Sequence, residues 1–395
     1  MKKILGYTIE EDVMRIMILI SVVGKVKRGG ESSLIGLVSF LRKYAEIHVI
    51  SGGPFPHDKV TNLGFPVMPK YTALYSGLPP FMRNRFIRRM HLDPLSVRNL
   101  FFCKHAVRVI RKQPPDLIVF RSVGPWGAKI GRYLRNAYKI PFVSIEGGWK
   151  TGERETARYG PNLHISVNIN VADYLKKQLP GVEVVYIPNG ISVANFDPEG
   201  PKARVDLPRP MFLGCGAMYK FKRFHLAIEA VSLLGKGTLL LLGKGSEEPY
   251  LQQFGKARLG HRFKMTSVPY DEMPSFYRAA DILTLPSSGE SFGMAYIEAM
   301  ACNTPVVATN DRNRKIIVGN GGKLIDPEDI PAYATALDQA CKTDYGERPR
   351  HQAERFDWAI IGPKYLQAFE ETVIRSKRNL RDFPVYRRMS KKRRN

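Results

Sequence analysis

The chain has 395 residues, of which 44 % are hydrophobic and 25 % charged, a composition that is typical of folded proteins and excludes a disordered chain. No run of about 20 uncharged apolar residues occurs, so the sequence predicts no membrane-spanning helix. Lys and Arg exceed Asp and Glu by 25, which favours nucleic acid, anionic lipid or phosphorylated ligands without choosing among them.

In the first half of the chain, short apolar runs alternate with amphipathic segments. The strand-like runs are Arg15–Ser21, Glu46–Ser51, Asp116–Arg121 and Phe142–Ile145. Apolar residues have helical spacing over Ser32–Tyr44 and Lys129–Ala137, and Val107–Lys112 is predicted to be the end of another helix. Near-continuous apolar strands flanked by helices predict a parallel sheet that is covered on both faces.

A segment rich in Pro, Gly and charge, residues 188–210, interrupts this alternation and predicts a linker. The alternation then restarts. Its predicted strands are Met211–Leu213, Thr238–Leu242, Ile282–Leu285 and Pro305–Ala308, and its predicted helices are Phe224–Leu234, Met273–Ala280, Phe292–Met300 and Phe356–Thr372. We therefore expect an α/β protein of two doubly wound domains facing a cleft, with ligands at the carboxyl ends of the strands.

The four cysteines lie far apart and lack CxxC or zinc-like spacing, which is typical of reduced thiols in a cytosolic protein. Acidic residues interrupt the apolar N-terminal run, so we interpret it as a strand and not as a signal peptide. The turn at 243–246 lacks the spacing of a P-loop. His164 lies in an apolar run, which favours a near-core residue over a catalyst.

The segment 287–308 combines the end of a strand, a small-residue turn, a helix start and two acids. Ser291 is expected to cap a helix that begins at Phe292, and Gly293 leaves the backbone of the first turn bare. Amides at such a helix start bind anions. Glu298 lies two turns into the helix, where a carboxylate repels phosphate but can accept bonds from two neighbouring sugar hydroxyls. Taken alone, the two acids favour the alternative that Glu290 is a solvated loop residue and that Glu298 lies on the exposed face of an ordinary helix.

Residues 290–298, E-S-F-G-M-A-Y-I-E, resemble the E-x7-E signature of retaining glycosyltransferases of the GT-B fold, glycosyltransferase family 4. Further blocks that resemble the family occur in its order over nearly the whole chain. They are G-G-E at 29–31, P-D-L-I-V-F at 115–120, I-P-N-G-I at 187–191, G-A-M-Y-K-F-K-R at 216–223, L-L-L-G-K-G at 240–245, N-G-G-K-L-I-D-P at 320–327 and F-D-W at 356–358.

The resemblance implies a role for each residue of the signature. Glu298 would hold the ribose hydroxyls of a nucleotide sugar, and Glu290 would contact the transferred sugar. Amides of Ser291, Phe292 and Gly293 would face the sugar and the diphosphate. The predicted domains are then 1–190, which binds the acceptor, and 191–359, which binds the donor, with a helix over 360–374 crossing back and a basic tail over 375–395.

Outside the signature, the resemblance assigns Lys222 to the diphosphate leaving group, where its charge lowers the barrier in a site that excludes water. Gly29 and Gly30 match a glycine loop that approaches the phosphates, and Val268 lies in the loop expected near the base. The resemblance implies neither a metal nor any other cofactor, because the GT-B scheme needs no metal, which agrees with the absence of an Asp-x-Asp motif at a strand end. The donor substrate would be a UDP- or GDP-linked sugar.

Two positions depart from the family pattern. Ala217 stands where the family has an arginine, so Lys220 or Arg223 substitutes for it, or phosphate binding is weaker. Glu146 follows a strand where the family often has His-Gly. A carboxylic acid cannot act as a neutral imidazole, so Glu146 is a candidate base or hydroxyl ligand, with a structural acid as the alternative.

Two segments concentrate the positive charge. Residues 81–92 place four arginines among apolar residues, and the tail 375–395 contains ten Lys and Arg against one Asp. Both favour docking on an anionic membrane from the cytoplasmic side and a lipid-linked or glycan acceptor. A solvated helix is the alternative for 81–92. A nucleotide-sugar epimerase and a basic nucleic-acid-binding protein are the alternatives for the function.

Overall fold

The computed structural model of the chain describes residues 3–4, 7–8, 13–21, 29–56, 58–64 and 94–381. The chain forms two compact units. The first comprises Met1–Val26, Leu34–Ile187 and Gly362–Asn395, and the second comprises Lys27–Ser33 and Pro188–Ile361. Apart from the short segment Lys27–Ser33, the chain changes unit after Ile187 and again after Ile361. The predicted changes were after residues 190 and 359.

The first unit is built on a seven-stranded sheet in the order β5-β4-β3-β6-β7-β8-β9, in which all neighbouring strands are parallel. A separate antiparallel pair, β1 and β2, lies near the N-terminus. The strands are β1 Lys3–Ile4, β2 Tyr7–Thr8, β3 Arg15–Ile20, β4 Glu46–Ser51, β5 Val60–Asn62, β6 Leu117–Arg121, β7 Phe142–Glu146, β8 Leu163–Ser166 and β9 Val184–Tyr186. Every residue of β6, β7 and β8 is buried, as expected for strands that are covered on both faces.

Helices connect these strands. They are α1 Gly29–Leu41, α2 Pro94–Lys112, α3 Gly124–Tyr138, α4 Lys150–Ala157 and α5 Ile169–Gln178. One core cluster joins the inner sides of α2 and α3 to the sheet through residues such as Phe102, Ile118 and Phe142.

The second unit contains a six-stranded parallel sheet in the order β12-β11-β10-β13-β14-β15. Its strands are β10 Met211–Cys215, β11 Thr238–Leu242, β12 Phe263–Thr266, β13 Ile282–Leu285, β14 Val306–Thr309 and β15 Gly322–Ile325. Its helices are α6 Phe224–Leu234, α7 Glu248–Leu259, α8 Met273–Ala279, α9 Met294–Ala301, α10 Arg312–Val318, α11 Ile330–Lys342 and α12 Arg348–Glu354. The predicted pair of doubly wound α/β halves is confirmed.

The last helix, α13, runs from Trp358 to Arg381 and belongs to the first unit from Gly362 onwards. It continues seven residues into the segment 375–395 that we predicted to be a basic tail, so the predicted end of the helix at residue 374 is wrong. Arg375 pairs with Glu183 at 2.6 Å, and Lys377 lies 3.5 Å from Asp116. These acids of the first unit neutralise the basic end of the helix.

Residues 81–92 and the remainder of the tail, 382–395, lie outside the described residues. Among the helices of the described ranges, none combines the length and the apolar character that crossing a bilayer requires.

Candidate functional site

The order of strands in the second unit reverses between β10 and β13, which are neighbours in the sheet although β11 and β12 lie between them in sequence. In open α/β sheets, ligands bind outside the carboxyl ends of the strands at such a reversal. β10 ends at Cys215 and β13 at Leu285, and most of the predicted donor-site residues follow these two ends.

Lys222 and Glu290 meet at this reversal. Lys222 ends a short 3-10 helix after β10, and Glu290 lies in the loop after β13. Lys222 Nζ donates to Glu290 Oε1 at 2.5 Å, and the two side chains are only 13 % and 11 % exposed. The ammonium charge is therefore already neutralised by a carboxylate, and an anion that enters the site must compete with Glu290 for Lys222.

Glycines shape the backbone under Lys222. Gly216 has φ +129°, and a Cβ there would lie 3.4 Å from Lys222 Nζ. Gly243 and Gly245 form the turn after β11 and lie against the backbone of the same loop. The approach is so close that a Cβ on Gly243 would lie 1.9 Å from Gly216 O. The turn at 243–246 follows β11, which ends at Leu242, and supports the loop that carries Lys222.

Arg223, which we considered as a substitute for the missing arginine, donates to groups of the protein. Its Nε bonds to Pro286 O at 2.8 Å and its Nη1 to Glu328 Oε1 at 2.7 Å. Its backbone adopts the left-handed conformation, φ 52°, between the 3-10 helix and α6. Arg223 thus ties the loop after β10 to the loop after β13, whereas Lys220 is exposed.

Helix α9 begins at Met294 and not at Phe292, and the cap that we predicted at Ser291 is wrong. Gly293 occupies the cap position with φ +92° and no side chain caps the helix. A Cβ on Gly293 would lie 2.3 Å from the ring of Tyr296, so only glycine fits. Phe292 points instead into the core, where it is 1 % exposed and packs on Phe356.

Glu298 is buried, 3 % exposed, which rules out the exposed face of a helix. Tyr270 donates to Oε1 and Tyr277 donates to Oε2, each at 2.8 Å. Burial raises the pKa of Glu298, and the two tyrosine hydrogen bonds oppose that rise. Each carboxylate oxygen has a second lone pair, so Glu298 retains the capacity to accept two more bonds.

Sequence reasoning missed both tyrosines and Arg314. Arg314 is 2 % exposed and donates to Tyr296 Oη at 3.0 Å and to Ser287 O at 2.8 Å. It also pairs with Asp311, the residue that caps α10. These bonds hold α9, α10 and the loop after β13 together. The only local sequence feature that could have indicated Arg314 was its position three residues after Asp311 at the start of a helix.

The remaining predicted donor residues lie at the edges of this arrangement. Val268 is half-buried in the loop after β12, two residues before Tyr270. Gly29 and Gly30 form the first turn of α1 and not a loop, so the predicted glycine loop is wrong for these two positions. Space around Gly30 is open, since a Cβ there would have no neighbour within 4 Å.

Glu146 belongs to the first unit, where it ends β7 and is 8 % exposed. Its Oε1 has no hydrogen-bond partner among the described residues. Burial and the neighbouring Glu153 raise its pKa to about 8, against the opposing effects of Arg121 and of a hydrogen bond from the Gly124 N–H. A carboxyl group with this pKa is mostly protonated at pH 7.

The predicted near-core position of His164 is confirmed, since its side chain is fully buried. Its Nδ1 lies 2.7 Å from Ser144 Oγ and its Nε2 lies 3.2 Å from Glu153 Oε2. Glu153 also accepts a bond from the Gly148 N–H at 2.9 Å. This chain of bonds fixes the loop that follows Glu146.

Comparison with known proteins points to one family. The model of the glycosyl transferases group 1 matches residues 209–343. The chain is 30 % identical over 208 residues to phosphatidyl-myo-inositol mannosyltransferase of Mycolicibacterium smegmatis, covering 48 % of this chain and 52 % of that protein. It is 38 % identical over 284 residues to D-inositol 3-phosphate glycosyltransferase of Paenarthrobacter aurescens, covering 63 % of this chain and 68 % of that protein.

The chain thus spans about half the length of the first relative and about two thirds of the second. The structure of Anabaena HepE in complex with UDP-glucose superimposes with a TM-score of 0.64 at 18 % identity, covering 91 % of this chain and 100 % of that chain. This likeness confirms the GT-B fold that the sequence predicted. The chain therefore belongs to the group 1 glycosyl transferases.

Proposed function

We propose that the protein is a retaining glycosyltransferase that moves a hexose-type sugar from a nucleoside diphosphate donor to a lipid-linked or glycan acceptor at the cytoplasmic face of a membrane. The Lys222–Glu290 pair carries this proposal. A nearly buried cation at the reversal of a parallel sheet, held by a displaceable carboxylate, suits a ligand that brings both an anion and hydroxyl groups.

Donor binding exchanges the partner of Lys222. The diphosphate takes the ammonium group, and Glu290 is released to accept hydrogen bonds from hydroxyls of the sugar. When the bond between sugar and phosphate breaks, negative charge grows on the diphosphate next to Lys222. A fixed cation in such a water-poor site lowers the barrier by roughly 3 kcal/mol.

Glu298 binds the ribose. With Tyr270 and Tyr277 each occupying one lone pair of the carboxylate, the remaining lone pairs accept the two neighbouring ribose hydroxyls. The tyrosines fix the orientation of the carboxylate before the ligand arrives, which reduces the entropy that binding costs. Val268 contributes an apolar surface for the base.

Glu146 acts as a hydroxyl ligand of the acceptor. Because its carboxyl group is mostly protonated at pH 7, it donates a hydrogen bond and does not accept a proton from the acceptor.

The relatives support the choice of substrates. The names of the two relatives refer to phosphatidyl-myo-inositol and to inositol 3-phosphate as the molecules that they glycosylate, and the solved structure contains UDP-glucose. Of the proposed acceptors we therefore favour a lipid-linked polyol, and UDP or GDP carries the donor sugar.

Nucleotide release tests the proposal. The full chain is incubated with UDP-glucose or GDP-mannose and a bacterial lipid extract, and free nucleoside diphosphate is measured. We expect release from one donor that depends on the extract and is lost in Lys222→Ala. Release from neither donor, with or without extract, would contradict transferase activity with these sugars.

A further inference from the structure

Two neighbouring helices of the first unit contain no acidic residue. α2 has 19 residues and α3 has 15, and neither includes Asp or Glu. The two helices pack side by side, and their inner sides share one core cluster. Their outer sides are therefore a surface on which the sign of the charge is uniform.

The outer side of α2 is a regular stripe. Phe101, Lys104, Arg108 and Arg111 follow one another at intervals of three and four residues and are all exposed, with Phe101 49 % exposed. The opposite side, which includes Phe102 and Ile110, is fully buried. The stripe is thus the solvent face of an amphipathic helix that is already anchored in the core.

The outer side of α3 continues this surface. Tyr133 is 49 % and Tyr138 is 38 % exposed, and their ring centroids lie 6.1 Å apart in an edge-to-face arrangement. The Arg111 guanidinium lies 5.5 Å from the centre of the Tyr138 ring, which joins the two helices. We call this the α2–α3 surface. It is defined by Phe101, Lys104, Arg108, Arg111, Tyr133 and Tyr138, together with Lys112, the exposed residue that follows Arg111.

Charges at the end of α13 have acidic partners, whereas no acid among the described residues forms an ion pair with the cations of the α2–α3 surface. Arg375 and Lys377 pair with acids of the same unit. Among the ion pairs formed within the described ranges, none involves Lys104, Arg108 or Arg111. Their positive field therefore acts on whatever approaches from solution.

We propose that the α2–α3 surface docks on an anionic lipid bilayer. The inference deepens the proposed function, because it names the partner that brings the protein to a lipid-linked acceptor. The cations meet the charged headgroups, where each increases binding about fivefold. Exposed Phe and Tyr side chains suit the boundary between headgroups and acyl chains.

A single-stranded nucleic acid is the other polyanion that basic and aromatic side chains bind, and it requires free ring faces on which bases stack. Arg111 covers one face of the Tyr138 ring, and Tyr133 contacts the same ring. The aromatic groups are therefore arranged less well for stacking than for a membrane interface.

Vesicle cosedimentation of the full chain tests the proposal. Vesicles of phosphatidylcholine with about one third phosphatidylglycerol should bind the protein, and vesicles of phosphatidylcholine alone should not. The variant K104Q/R108Q/R111Q/K112Q should bind at least about tenfold more weakly. The matched control, K202Q/R204Q/K256Q/K264Q, removes the same charge from exposed positions of the second unit and should bind like the wild type.

A second variant, Phe101→Ser with Tyr133→Ser, separates lipid insertion from attraction of charges. It should keep binding at low salt and lose the part of the binding that resists high salt. Equal binding by wild type and the four-site variant, or an equal loss in the control, would overturn the proposal. So would a protein that ignores vesicles but binds a single-stranded RNA through these four residues.

UDP calorimetry on the same samples keeps the two proposals apart. The four-site variant should retain the UDP affinity of the wild type, which also shows that it is folded. A chain that binds vesicles through this surface but binds neither UDP nor GDP would contradict the proposed transferase activity and support membrane docking. A chain that binds UDP but no vesicles would contradict only the proposal that the α2–α3 surface docks on a membrane.

Discussion

Lys222 Nζ and Glu290 Oε1 lie 2.5 Å apart although the residues are 68 positions apart in sequence. They extend from the ends of neighbouring parallel strands, so the pair depends on the order of strands in the sheet and not on local sequence. Each residue is the counterion of the other, and under the proposed function each changes partner when a donor binds.

The exchange of partners predicts opposite effects for the two residues. Lys222→Ala should weaken UDP or GDP binding roughly 10- to 100-fold, because a charged hydrogen bond to the diphosphate is lost. Glu290→Gln should leave nucleotide affinity equal or increase it, since the competing carboxylate is gone, while sugar transfer falls. Calorimetry and nucleotide release measure the two effects, and a parallel loss of affinity in both variants would contradict the exchange.

Because Tyr277 is more buried than Tyr270, removal of its hydroxyl should destabilise the protein more. Tyr277→Phe should lower the free energy of unfolding by roughly 1–3 kcal/mol, because it leaves the buried Oε2 of Glu298 without its donor. Tyr270→Phe should cost less, since Tyr270 is only partly buried and water can replace its hydroxyl. Urea unfolding gives both values, and a larger cost for Tyr270→Phe would contradict this assignment.

Glu146 predicts a dependence of stability on pH. Its pKa is raised to about 8 from the ordinary 4.5, so between these values the folded protein holds a proton that the unfolded chain has released. Its contribution is therefore full below pH 4.5 and is lost as the pH rises towards 8. Glu146→Gln lacks this titration, so its stability relative to the wild type should rise by roughly 2–5 kcal/mol from pH 5 to pH 8. A difference between the two proteins that stays constant with pH would contradict a raised pKa.

Gly293 predicts a requirement for glycine at the start of α9. Gly293→Ala should lower the free energy of unfolding by roughly 1–3 kcal/mol, because φ is +92° and the new Cβ meets Tyr296. Gly152→Ala is the matched control, since it lies inside α4 with nothing within 4 Å of a Cβ. The control should be stabilised by about 0.5–1 kcal/mol. Equal effects of the two substitutions would contradict the special role of Gly293.

Continuous apolar runs made much of the fold predictable. The strands Glu46–Ser51, Thr238–Leu242 and Ile282–Leu285 and the helix Phe224–Leu234 begin and end at the predicted residues. The complete burial of Thr238–Leu242 and Ile282–Leu285 follows from composition, because a strand covered on both faces is a near-continuous apolar run.

The errors concern features that side-chain contacts determine, some of them local and others between residues far apart in sequence. The start of α9 depends on a glycine that avoids the ring of Tyr296, and the end of α13 depends on acids far away in sequence. Tyr270 and Tyr277 act through Glu298, 28 and 21 residues away, and no local pattern marks them. The signature identified Glu298, but only the structure shows what holds it.

Calorimetry with UDP and GDP, on the wild type and on Glu298→Ala, tests the central claim most directly. The wild type should bind one of the two nucleotides saturably. Glu298→Ala should bind it at least about tenfold more weakly, since two hydrogen bonds from ribose to a carboxylate are lost. Absence of saturable binding of either nucleotide by the wild type would contradict the proposed transferase, whereas equal affinity of the variant would contradict only the ribose contact.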